Sequence, residues 1–178
     1  MRTLPTENNE LNATQASLLG FLHDGPRTGW ELMQEVQRGL QRFWNVTSSH
    51  VYRELRALEG RGLIEPGPPG PRDSRPYSLT ASGRAAFRSW IQREPGAEQI
   101  RFPLLVTLWF GRHLDRETLQ EILAKQTDEH AARLAAYRAT RQHVADDPYV
   151  SAVVGFGIEY ERAVLRWLSS LPFGDVTR

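Results

Sequence analysis

The stretch 45-NVTSSHVYRELRALEGRGLI-64 encodes a short amphipathic helix with two marked ends. Val51, Leu55 and Leu58 recur at helical spacing, and Leu63 and Ile64 follow just past the helix. Thr47, Ser48 and Ser49 stand where an N-cap is needed, and Gly60 and Gly62 mark the end. The opposite face carries Ser49, His50, Arg53 and Arg56. Hydroxyls and an imidazole can donate to or accept from base edges, arginine can pair bidentately with guanine, and all of them can hold phosphate. Such a face suits a DNA major groove. An ordinary surface helix shows the same pattern, so the flanking segments must decide.

Upstream, residues 1–12 are polar and without periodicity, which reads as a flexible arm. From Thr14 the spacing of Leu18, Leu19, Phe21 and Leu22 predicts a helix to about His23, broken by Asp24-Gly25-Pro26. Thr28 caps a second helix, with Glu31 at capping-box spacing and Leu32, Met33, Val36 and Leu40 as core candidates. Phe43 and Trp44 are expected to close the core beneath the third helix. Downstream, Gly62–Glu65 and Arg75–Leu79 read as two strands around the Pro/Gly-rich segment 66–71. This makes a β-hairpin wing whose tip carries Arg72 and Arg75. A plain linker would not need apolar strands on both sides. Thr80 caps a fourth helix with Phe87, Trp90 and Ile91 on its inner face, and Glu94-Pro95-Gly96 ends it.

The second half reads as helical throughout. Pro103 opens FPLLVTLWFGRHL, and Asp115 caps a long helix to His143. Leu119, Ile122, Gln126, Arg133 and Tyr137 form its expected seam, with Leu123, His130 and Leu134 beside them, suited to packing between subunits. Pro148 starts a last helix that is apolar over much of its circumference: Val150, Val153, Val154, Phe156, Ile158, Val164, Leu165, Trp167 and Leu168. Such a helix needs cover on more than one side, which a dimer would supply.

Composition narrows the function classes. The 178 residues are 40% hydrophobic and 24% charged, an ordinary globular balance with room for a real core. No cysteine is present, which removes disulfides, thiolate metal sites and Cys nucleophiles and suits a reducing cytoplasm. No apolar run approaches the roughly 20 residues of a membrane span, and no signal peptide is recognised ahead of the first helix. Residues 48–93 hold eight arginines against four acids, whereas residues 94–178 hold ten basic and twelve acidic residues. An anionic partner is therefore expected for the first half. HExxH, GxSxG and Gly-rich phosphate loops are missing, and His23, His50, His113, His130 and His143 have no metal spacing. His130 and His143 read as solvated or satisfied helix residues. The expectation is no catalysis, no metal and no cofactor.

Three helices, a hairpin and a helix opened by Thr-x-x-Gly follow the order of a winged helix-turn-helix. The stretches ASLLGFLHDGPRTGWEL, HVYRELRALEGRGLIE and RPYSLTASGRAAFRSW resemble the PadR family of transcriptional regulators. FPLLVTLWFGRHL and PYVSAVVGFGIEYERAVLRWL resemble the α-helical C-terminal domain of its virulence-activator-like branch. Together they cover about residues 14–170. Trp30 stands where the family usually has Tyr, and Arg53 where it usually has Pro. Ser49-His50 also departs from the usual pair, so the operator sequence cannot be borrowed from relatives.

The resemblance implies a mainly α fold with a small β-hairpin wing. It divides the chain into an arm (1–13), a winged helix-turn-helix DNA-binding domain (14–94) and an α-helical dimerisation domain (95–178). It implies a cytoplasmic homodimer on double-stranded DNA with a pseudo-palindromic operator, repression being the family default. The DNA-facing set is then Thr28, Ser48, Ser49, His50, Tyr52, Arg53, Arg56, Arg72 and Arg75. Tyr52 could equally be a packed core edge, and Arg56 could pair with Glu54 or Glu59 along the helix. Some relatives bind aromatic effectors, and Trp90, Trp109, Phe110, Phe156 and Trp167 could line such a pocket or belong to a dimer core. A helical protein-binding adaptor is the alternative; it accounts for the second half but leaves the basic wing without a role.

Overall fold

The computed structural model describes residues 10–39, 47–70, 74–97 and 100–173. The chain divides into two compact units, residues 1–97 and 98–178. Leu40, Phe43, Trp44 and Arg72 lie outside the described residues.

In the first unit, α1 (Ala13–Phe21) begins one residue before the predicted start, and a short 3-10 turn (Leu22–Asp24) follows it. Asn12 and Gln15 form a reciprocal capping box, and Leu11 is buried. Leu11 and Asn12, inside the arm expected over 1–13, are therefore part of the folded unit: the Asn-x-x-Gln spacing secures the helix start. Thr28 and Glu31 make the predicted capping box of α2 (Gly29–Gly39), with Leu32 and Val36 buried. Thr47 alone caps α3 (Ser48–Gly60), accepting from the His50 amide at 3.3 Å. Val51, Leu55 and Leu58 anchor α3, each removed from water and worth about 1.5–3 kcal/mol.

The sheet has three strands rather than two. β1 (Arg27–Thr28), β2 (Ile64–Pro66) and β3 (Pro76–Leu79) are all antiparallel in the order β1-β3-β2. Ile64 faces Leu79 and Pro66 faces Tyr77 across the hairpin, and Arg27 faces Tyr77 on the other side. β2 starts later than expected because residues 61–63 complete the helix exit. Gly62 is left-handed (φ 66°), and the Leu63 N–H reaches back to the Leu58 carbonyl at 3.0 Å. Thr80 locks this corner. Its hydroxyl donates to the Gly62 or Leu63 carbonyl (2.8 and 3.0 Å) and caps α4 (Ala81–Ile91) at the Gly83 amide. A Cβ on Gly83 would sit 2.0 Å from the Leu63 carbonyl oxygen, so the Thr-x-x-Gly step is dictated by close backbone approach. Phe87 and Trp90 pack on the core, but Ile91, expected inside, is 58% exposed at the fraying end of α4.

The second unit consists of α5 (Pro103–Trp109), a 3-10 turn (Gly111–His113), α6 (Arg116–His143) and α7 (Pro148–Ser169). Asp115 and Asp147 cap the two long helices, which pack on each other. The buried stripe of α6 is Leu119, Leu123, His130, Leu134 and Tyr137, not the seam through Ile122, Gln126 and Arg133. Its partner is α7 of the same chain, because the short link 144–147 lets α7 fold straight back. His130 is thus a core residue, 2% exposed, its Nδ1 2.5 Å from the Glu161 carboxylate between two apolar clusters. α7 buries Val154, Ile158, Val164 and Leu168, while Tyr149, Val153, Phe156 and Tyr160 remain 84, 47, 61 and 38% exposed.

Candidate nucleic-acid interface

The outer face of α3 is built from residues between its anchors. Ser48, Ser49, Tyr52, Arg53 and Arg56 are exposed and His50 is half-buried. The Ser49 hydroxyl lies 3.1 Å from that of the Thr47 cap, so both sit at the amide-rich start of the helix. Arg56 makes no ion pair or hydrogen bond with a described residue; neither Glu54 nor Glu59 takes it. Tyr52 answers to both readings. Its ring edge covers Gly29, where a Cβ would come within 2.7 Å of it, yet the residue stays 41% exposed.

Glu54, on the inner face, was not among the sequence candidates. It is buried, and its two oxygens divide their work. Oε2 accepts from the Gln15 amide at 2.8 Å and the Asn12 amide at 3.1 Å, tying α3 to the start of α1. Oε1 takes the Arg53 guanidinium at 3.1 Å and the His50 Nε2 at 3.0 Å. Burial pushes this carboxyl up, but the hydrogen bonds from Asn12, Arg53 and Gln15, with the His50 charge, outweigh it and hold it below the usual 4.5. Arg53 and His50 are thereby aimed from a fixed carboxylate. The signal was in the spacing: position 54 falls three residues after Val51 and four before Leu58.

Around this helix, Thr28 spends its hydroxyl on Glu31 in the capping box, and Trp30 on α2 is 60% exposed. Hydrogen bonds from the Thr28 amide and hydroxyl lower the Glu31 carboxyl. The wing root is held by the Gly67 amide on the Pro76 carbonyl (2.7 Å) and the Gly70 amide on the Ser74 carbonyl (2.6 Å). Arg75 is exposed there. Beneath it, burial raises the Tyr77 phenol, which keeps its proton.

The five aromatic residues considered for an effector are dispersed. Trp90 stands in the first unit's core, and Trp167 packs edge-on to Phe102 with centroids 5.8 Å apart. Trp109, Phe110 and Phe156 are 80, 52 and 61% exposed, Phe156 stacking on Tyr160. Among the described residues no helix is long and apolar enough to cross a membrane.

A small three-stranded sheet packed with four helices, an exposed polar face on α3 and a second, helical unit define a winged-helix architecture. Residues 18–89 match the transcriptional regulator PadR-like family, and residues 100–171 match the virulence activator alpha C-terminal family. Residues 18–89 thus carry a PadR-like domain, and the chain is homologous to PadR transcriptional regulators. It is 23% identical over 169 residues to the negative transcriptional regulator PadR of Bacillus subtilis, covering 87% of this chain and 93% of that one. Crystal structures of B. subtilis PadR share the fold. The one in complex with operator DNA aligns at TM-score 0.75 with 22% identity, over 89% of this chain and 97% of the other. The complex with p-coumaric acid aligns at 0.71 with 23% identity, over 89% and 96%.

Proposed function

We propose that the protein is a cytoplasmic, homodimeric repressor that binds a pseudo-palindromic operator through α3 and the wing. The observation that carries this reading is the outer face of α3. Its apolar anchors are buried, its hydroxyls and guanidiniums point outward, and Arg56 makes no ion pair or hydrogen bond with a described residue. In the proposed complex Ser48, Ser49, His50 and Arg53 meet base edges in the major groove, and Tyr52 and Arg56 lie nearer the backbone. Thr28 lies at the start of α2 beside them, and Arg72 and Arg75 reach phosphate or the adjacent minor groove from the wing. Residues 14–94 act as the DNA-binding domain and 95–178 as the dimerisation domain. The apolar stripe Tyr149, Val153, Phe156 and Tyr160 on α7 supports self-association, since a face so apolar is ordinarily covered.

Release by a small aromatic effector is part of the same proposal, supported by the relative's p-coumaric acid complex and by the exposed rings of Trp109, Phe110 and Phe156. Such a ligand acts only by binding two dimer geometries with different affinity. Trp90 and Trp167 would join the pocket only if those geometries bring them to it.

Selection of bound duplexes from a random pool by the full-length protein tests the reading. An inverted repeat with half-sites one or two helical turns apart is expected. A pool that stays random while the protein captures other proteins would favour the adaptor instead.

A further inference from the structure

Three guanidiniums line one recess of the helical unit. Arg138 and Arg141 on α6 and Arg162 on α7 line a recess of about 310 Å³, with Gln142 and the buried Ile158 beside them. Arg138 and Arg141 stand three residues apart on one face of α6, so they cannot avoid each other by pointing to opposite sides. Arg162 donates to Glu159 at 2.6 Å. Arg138 and Arg141 have no ion pair or hydrogen bond with any described residue. Of the three guanidiniums, only that of Arg162 is paired with a carboxylate among the described residues. The excess attracts an anion of more than one charge. Guanidinium forks with a side-chain amide supply many N–H donors in planes that suit a tetrahedral oxyanion.

We infer that this recess binds a phosphoryl group, carried by a phosphorylated small molecule that occupies the remaining volume. The same chemistry is presented by the phosphates of a nucleic-acid backbone, and the test separates the two sources. The site is independent of the α3 face, so its fate does not depend on the operator reading.

The experiment uses the full-length protein. Inorganic phosphate is titrated against chloride at matched ionic strength, without DNA, and the melting temperature is followed. Phosphate is expected to raise it beyond chloride. The Arg138→Ala/Arg141→Ala variant should need at least tenfold more phosphate for the same shift, with unchanged circular dichroism, while Arg166→Ala behaves as wild type. In a second arm, binding to a duplex of random sequence is measured against salt. A slope reduced by about two in the double variant, with no phosphate effect on the free protein, assigns the phosphoryl group to the DNA backbone. Silence in both arms overturns the inference, as does a phosphate effect that survives the double variant. A change of oligomeric state with neither phosphate effect also overturns it, and gives the recess to a contact between copies.

Discussion

Replacing Glu54 with Gln keeps the shape of the side chain and removes its charge. In the protein, Oε2 faces two amide donors and Oε1 faces a guanidinium and an imidazole. Whichever oxygen becomes the new –NH₂, two donors then confront a donor. The amide will turn toward Arg53 and His50, whose side chains are 70 and 32% exposed and can hydrate, and will keep its oxygen toward Asn12 and Gln15. What is lost is the charge assistance of those bonds, about 2 kcal/mol in all. For a unit of this size that lowers the midpoint by about 8–16 °C. The pH dependence makes the test specific. The Glu54 carboxyl titrates below 4.5 in the folded chain, so the unfolded chain binds the extra proton between the two values. Its stabilisation is complete above about 4.5 and disappears as the pH falls through the lower, folded value. Urea denaturation of wild type and Glu54→Gln between about pH 7 and pH 3 should show a gap that closes only at the acid end. A gap constant with pH, or none at neutral pH, would refute this account of how α3 is held.

Three further outcomes follow from the same geometry. Arg53→Ala should weaken specific operator binding by about 1–3 kcal/mol without changing the oligomeric state, read by titration of a labelled duplex. Arg75→Ala should weaken binding to most sequences alike and lower the salt slope by about one; an effect confined to a single base position would make the wing a sequence reader instead. Gly83→Ala forces a methyl into the Leu63 carbonyl and should cost about 1–3 kcal/mol or more, whereas Gly60→Ala, whose Cβ meets nothing within 4 Å, should leave the melting temperature near wild type.

Much of the architecture was legible because single residues carry strong local signals. Thr28 with Glu31, Thr47, Thr80, Asp115 and Pro148 marked helix starts, and Val51, Leu55 and Leu58 marked the inner face of α3. β1 was missed because two residues carry no period, and its partner strand lies about fifty positions away. Glu54 was missed as a core residue, and His130 was left open between a solvated and a satisfied helix residue, for a common reason. Both fall on the apolar stripe by spacing, but a charged or titratable side chain reads as surface until its distant partners, Asn12 and Gln15 or Glu161, are known. The exposed face of α3 was readable from periodicity, whereas the anchoring of Arg53 and His50 on Glu54 needed the fold. The candidate pocket aromatics show the limit of composition: five large rings suggest a pocket, and tertiary structure packs Trp90 and Trp167 against two different cores and leaves Trp109 in solvent.

The most direct test of the central claim is fluorescence anisotropy of the full-length protein on a duplex from upstream of its own gene, against a scrambled duplex, at two salt concentrations. The account predicts tighter binding to the natural duplex and a steep loss of affinity with salt on both. Absence of binding to either duplex at low salt would contradict it.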